Sequence, residues 1–289
     1  KKKPKGCAEG ARLCGPFAVF KVSKLKQTPA VKRNIPRGQA KYPPRLSKTT
    51  PPRPSGKQLP AVKREKRQIM KQNGKLYLCA TPIGNLEDIT LRVLRTLREV
   101  DLIAAEDTRN SIKLLNHFDI KTPMTSYHEY NKIDKGHVLV EKLLAGTNIA
   151  LITDAGTPGI SDPGEELAAM CYEAGIEVTS LPGPAACITA LTLSGLHTRR
   201  FAFEAFLPAD KKERKTILEE LSCETRTIIL YEAPHRLVRT LGELREALGN
   251  RRMTLCRELT KKHETAFRTT IDDLMDFYKD EKPLGECVL

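Results

Sequence analysis

The chain has no tryptophan, and aromatic residues make up only 5% of its 289 positions. That leaves little from which to build the base-stacking platforms of RRM-type RNA binders. Its eight cysteines, at 7, 14, 79, 171, 187, 223, 256 and 287, form no CxxC pair, and HExxH and clustered Cys/His are also missing. Metal-ligand spacing is therefore absent, and the scatter argues against a disulfide framework. Five of the six cysteines beyond residue 70 sit inside apolar patterns, as small buried hydrophobes of a reducing compartment do. No apolar run approaches about 18 residues, so a membrane-spanning helix is not expected. The expectation is a soluble, cytoplasmic body with no membrane partner.

Acidic residues are scarce at one end only. Residues 1–69 hold 20 Lys and Arg against Glu9 and Glu65, whereas the remaining 220 carry 29 basic and 33 acidic residues. The formal net charge of +14 thus belongs to the first segment, and the rest of the chain is slightly acidic. Ten of the 19 prolines also fall in that segment. Such a composition buries too little apolar surface to offset chain entropy, so residues 1–69 read as a disordered extension. A nucleic-acid arm, a targeting segment and translated sequence upstream of a start at Met70 are all open readings, and the last is favoured.

From residue 75 short apolar runs alternate with amphipathic ones. Strands are expected at 76–80, 101–105, 149–153 and 176–181, with helices near 87–98, 108–117, 132–145 and 163–174. The stretch 184–194 is apolar nearly all round and should be a buried helix. The pattern restarts after Gly195: strands at 200–207, 226–231, 252–258 and 265–269, and helices at 211–221, 235–248 and 271–279. Residues 285–289 read as a strand with no turn after it, so the natural chain is expected to continue. The fold class is α/β: two consecutive α/β domains, 70–195 and 196–289, with mainly parallel or mixed sheets.

The most informative segment is 149–164, IALITDAGTPGISDPG, an apolar strand running into a glycine- and proline-rich loop. Glycine lets backbone approach a ligand closely, and proline fixes the loop's shape. Asp162 as N-cap, Pro163 as first helical residue and Glu165 three after the cap make a coherent helix start. The spacing GxxGxxxxG is neither a dinucleotide fingerprint nor a P-loop. A loop at the carboxyl end of a strand still suggests a ligand in an open α/β sheet. Asp154 and Asp162 could be taken for a magnesium pair, but turn and capping roles account for both more simply.

Five more blocks stand at strand ends: Thr81-Pro82-Ile83-Gly84-Asn85, Ala105-Glu106-Asp107-Thr108-Arg109, Leu181-Pro182-Gly183-Pro184, Tyr231-Glu232-Ala233-Pro234-His235-Arg236, and 257–264 (RELTKKHE). In order and content they resemble the tetrapyrrole-methylase class of S-adenosylmethionine-dependent methyltransferases, over roughly residues 74–289. The likeness is to the branch that methylates the 2′-hydroxyl of a cytidine ribose in small-subunit ribosomal RNA.

The resemblance implies S-adenosylmethionine as cofactor, bound between the two domains. A sulfonium is cationic, so its pocket should offer carbonyls and apolar walls; the loops 81–85, 153–164 and 181–184 contain no Lys or Arg. By position, Pro82, Gly84, Asp154, Gly156, Pro158, Ser161 and Asp162 are assigned to the first-domain wall. Pro182, Gly183, Tyr231, Glu232 and Ala233 supply the rest. Glu106 and Asp107 are the candidate general bases for a ribose hydroxyl, and Arg109 is placed to hold a phosphate. The plainer reading of these three is a helix cap with an exposed ion pair. His128, His235 and His263 are weaker candidates for the base. The expected partners are small-subunit ribosomal RNA or its particle and a second copy of the chain. Two alternatives stay open: a precorrin-type tetrapyrrole methyltransferase, and a non-catalytic ribosome- or RNA-binding protein that works through the basic arm.

Overall fold

The computed structural model describes residues 72–289, so the reading of the basic segment 1–69 lies outside the described residues. The described residues belong to one compact unit built on two sheets.

The first sheet holds β1 (Leu76–Cys79), β2 (Leu102–Ala105), β3 (Met124–Ser126), β4 (Ile149–Ile152) and β5 (Val178–Leu181), in the order β3-β2-β4-β1-β5. All its pairings are parallel. Helices α1 (Leu91–Glu99), α2 (Thr108–His117), α3 (Lys132–Leu144) and α4 (Gly164–Glu173) cover its two faces. Along β4 the side chains alternate between two cores. Ala150 and Ile152 pack with Val93, Leu97 and Leu115 of α1 and α2. Ile149 and Leu151 pack with Leu139, Leu143 and Leu167 of α3 and α4. A strand apolar at every position is what a doubly covered parallel sheet requires.

The second sheet holds β6 (Phe201–Phe206), β7 (Thr227–Glu232), β8 (Arg252–Arg257), β9 (Thr265–Thr270) and β10 (Cys287–Val288), in the order β6-β7-β10-β8-β9. It is mixed: β6 and β7 are parallel, whereas β10 runs antiparallel to both β7 and β8. Helices α6 (Lys211–Ser222), α7 (Pro234–Leu248) and α8 (Ile271–Phe277) pack on one face. The other face is covered by α5 (Ala186–Ser194), which precedes the sheet in the chain.

Three local expectations are corrected. The first helix starts at Leu91, capped by Thr90 Oγ1 on Val93 N, because residues 86–88 form a separate 3-10 turn. Helix α5 is buried on one face only; Ile188 is 45% exposed on the other. Helix α4 begins at Gly164, not Pro163, although Asp162 Oδ1 still accepts from Gly164 N at 2.8 Å.

Candidate functional site

The carboxyl ends of β1, β2, β4 and β7 converge on a cavity of about 390 Å³. A larger hollow, about 900 Å³, opens at the opposite ends of β6, β7 and β8, among Arg199, Arg200 and Arg252. Ligands of open α/β sheets bind outside the carboxyl ends of the strands, which favours the smaller cavity as the site.

One wall is the loop after β4. Thr81 N donates to Gly156 O at 2.8 Å and Gly156 N to Thr81 O at 3.0 Å, which clamps this loop to the end of β1. Gly156 sits at φ +93°, a backbone region that side chains disfavour. Asp162 Oδ1 closes the next turn by accepting from Gly159 N as well as from Gly164 N, each at 2.8 Å. Burial pushes the Asp162 carboxyl above its ordinary range, although the two amides pull the other way.

The loop after β2 supplies Glu106, which lines the cavity. Its Oε2 accepts from Thr153 Oγ1 at 2.6 Å and from Asp154 N at 3.3 Å, leaving Oε1 without a partner among the described residues. Asp154 accepts from Asp107 N at 3.2 Å and from Asn110 Nδ2 at 3.1 Å. Burial raises its carboxyl, with a further push from the charge of Glu106.

Asp107 has a different occupation. It caps α2 through Arg109 N at 2.8 Å and holds the Arg109 guanidinium at 3.1 and 2.9 Å. The hydrogen-bonded guanidinium brings its carboxyl down to about 2. The Arg109 side chain is 88% exposed.

The opposite wall comes from the second sheet and from the start of α5. Tyr231 Oη accepts from Cys187 N at 3.0 Å, satisfying an amide in the first turn of α5, which has no side-chain cap. Burial raises the Tyr231 phenol. Ala185, Ala233 and Val288 complete an apolar surface.

Of the residues singled out in the sequence, the structure thus gathers Glu106, Asp154, Gly156, Ser161, Asp162, Tyr231, Glu232 and Ala233 around the cavity. Pro82, Pro158, Pro182, Asp107 and Arg109 are not part of its wall, nor are His128, His235 and His263. Two glycines are occupied with packing. A Cβ on Gly84 would meet Thr260 Oγ1 at 2.9 Å and Leu259 O at 3.0 Å, and a Cβ on Gly183 would meet Ala80 Cβ at 2.6 Å.

Sequence reasoning missed Ile83, Phe206 and the segment 286–288. Phe206, last in an alternating strand, carried a usable signal. A backbone irregularity at Ala205 (φ +49°) brings it into register with Tyr231. Residues 286–288 carried none, because their place follows from pairing with β7 and β8.

Residues 75–275 match the sequence model of the tetrapyrrole (corrin/porphyrin) methylases. The chain belongs to this family. Among its curated relatives, this tetrapyrrole methylase is 55% identical over 217 residues to the ribosomal RNA small subunit methyltransferase I of Synechocystis sp., covering 75% of this chain and 78% of the relative. The Bacillus subtilis protein of the same name is 48% identical over 228 residues, covering 77% and 78%. Among solved structures, diphthine synthase aligns with a TM-score of 0.60 at 14% identity, over 75% of this chain and 89% of that one. Uroporphyrin-III C-methyltransferase from Thermus thermophilus, complexed with S-adenosylhomocysteine, aligns at 0.53 and 19% identity over 74% and 96%. At these identities the structural likeness speaks for the fold. Among the described residues, no helix of this methylase is long and apolar enough to cross a membrane.

Proposed function

We propose that this chain is a methyltransferase that modifies the 2′-hydroxyl of a cytidine ribose in small-subunit ribosomal RNA, using S-adenosylmethionine. The observation that carries this reading is the cavity's chemistry. Its wall holds Glu106, Asp154 and Asp162 together with apolar groups, and no Lys, Arg or His. Such a wall suits a cationic sulfonium attached to an apolar base, and its volume lies in the usual range for small-molecule sites. The name shared by the curated relatives supports the RNA substrate.

Asp154, Gly156 and Asp162 would hold the cofactor from the first sheet, and Tyr231 and Ala233 from the second. When bound, S-adenosylmethionine supplies an electrophilic methyl group. Glu106 accepts the ribose 2′-hydroxyl proton at Oε1, while Thr153 Oγ1 and Asp154 N fix the carboxylate through Oε2. Asp107 is a poor base, because its hydrogen bonds from Arg109 lower its affinity for a proton. Arg109, whose side chain is exposed, meets the RNA backbone. The protein works as a homodimer, which sedimentation at micromolar concentration checks.

The experiment is methyl transfer from labelled S-adenosylmethionine to small-subunit particles and to free ribosomal RNA, followed by digestion to nucleosides. Label in 2′-O-methylcytidine is expected; label elsewhere, or none, refutes the reading. Glu106→Gln should lower turnover ~10²-fold or more, the usual scale for a general base. Asp107→Asn should leave turnover near normal. Full activity in Glu106→Gln removes that residue from the chemistry.

A further inference from the structure

On the α7 side of the second sheet, opposite α5, charged side chains are buried almost completely. Glu232, at the end of β7, is 2% exposed, and Arg214, from α6, is 3% exposed. Strand alternation separates neighbours here. Tyr231 packs with Cys187 and Val288 on the α5 side, whereas Leu230 packs with Leu237 and Leu241 of α7. Glu232 follows Leu230 to the α7 side, and its Oε2 accepts from Thr240 Oγ1 at 2.5 Å.

The same hydroxyl accepts from Arg214 Nη2 at 2.7 Å, so Thr240 links a buried cation to a buried anion whose nearest atoms are 4.0 Å apart. Glu232 Oε1 also accepts from Ala233 N at 2.9 Å and faces Arg236 Nε at 3.3 Å. Arg214 Nε meets Glu243, and Arg236 Nη2 donates to Leu207 O at 2.7 Å. The residues fixed in this way adjoin the cavity wall: Leu207 follows Phe206, and Glu232 stands between Tyr231 and Ala233.

Buried ion groups contribute little net stability, because desolvation offsets their attraction. Their effect here is on position. We infer that Arg214, Thr240 and Glu232 form a positioning relay that sets the second-sheet wall of the cavity and hence its affinity for the cofactor. This rests on the cavity's reading as the S-adenosylmethionine site. Arg214 and Thr240 are positioning residues, since neither lines the cavity.

The test measures S-adenosylhomocysteine binding by calorimetry in the full chain, beside thermal midpoints. Thr240→Val keeps the branched shape and removes the hydroxyl. It should weaken binding roughly 10-fold or more, as displaced positioning groups do. It should raise KM for S-adenosylmethionine without changing that for RNA, and Thr240→Ser should restore both. A purely structural role would lower the midpoint and leave affinity below the transition unchanged. If wild-type protein binds no S-adenosylhomocysteine, the cavity reading and the relay fall together. If wild type binds and Thr240→Val stays within about twofold of it, the relay alone is refuted. Failure of Thr240→Ser to restore affinity refutes it as well. Should Thr240→Val not fold, Arg214→Lys, which keeps the charge but loses the contact with Thr240 and does not line the cavity, is measured in its place against the same limits.

Discussion

Gly183→Ala isolates packing from binding. The added Cβ would lie 2.6 Å from Ala80 Cβ, closer than two such atoms ever approach. Ala80 is completely buried at the end of β1, and its Cα and carbonyl oxygen both lie 3.8 Å from the new atom. The neighbour is thus backbone-borne and cannot rotate aside. The loop 182–185 and β1 must part by about 1 Å, and forced overpacking of this kind costs roughly 1–3 kcal/mol. For a body of this size that lowers Tm by roughly 2–12 °C. Denaturant and thermal unfolding of Gly183→Ala, Ala80→Gly and the double variant complete the measurement. Ala80→Gly alone loses stability, but combined with Gly183→Ala it should recover most of the loss, because the methyl has only moved across the contact. An alanine tolerated within about 0.5 kcal/mol, or a double variant whose losses simply add, would show that Gly183 is not a packing glycine.

Tyr231→Phe removes the acceptor of Cys187 N and leaves a buried amide unpaired, which should cost about 1–3 kcal/mol and weaken S-adenosylhomocysteine binding. Unchanged urea midpoints and affinity would show that water replaces the hydroxyl. Asp162→Asn keeps an oxygen for Gly159 N and Gly164 N but removes a charge that burial disfavours. Because the folded carboxyl lies above its ordinary 3.8, the folded protein binds more protons, and wild-type stability falls as pH rises through that interval. The variant should therefore be the more stable at pH 7, with the advantage shrinking toward about pH 4; urea midpoints that give equal advantage at both would contradict this.

Much of the fold was legible because its signals are local. The strand at 149–152 and the helix at 108–117 follow from apolar runs and periodicity, and both stand where those patterns put them. Strand β3 was not foreseen: three residues, Met-Thr-Ser, carry no period and gain their form from β2 beside them. The candidate site was legible where loops carry it: Gly156 and Asp162, singled out in the sequence, both line the cavity. It was illegible where partners are distant in sequence. Nothing in a helix reading of 234–248 marks Thr240 as the link between a glutamate 8 residues before it and an arginine 26 before it. The weight on Glu106 over Asp107 likewise needed geometry, since adjacent carboxylates look alike until one is seen capping a helix.

The position of β10 bears on how the protein is born. The first sheet has all its strands once Leu181 has been synthesised, and it can begin to fold behind the growing chain. The second sheet lacks its middle member until Val288 appears, more than fifty residues after β7 is complete. At about 5–20 residues per second, β7 and β8 spend several seconds with facing edges unpaired. Unpaired edges invite contact with other chains, so this interval is when a nascent molecule is most exposed to aggregation. It also cannot close its cavity earlier, because residues 286–288 are part of the wall. Binding competence therefore cannot precede the synthesis of Val288.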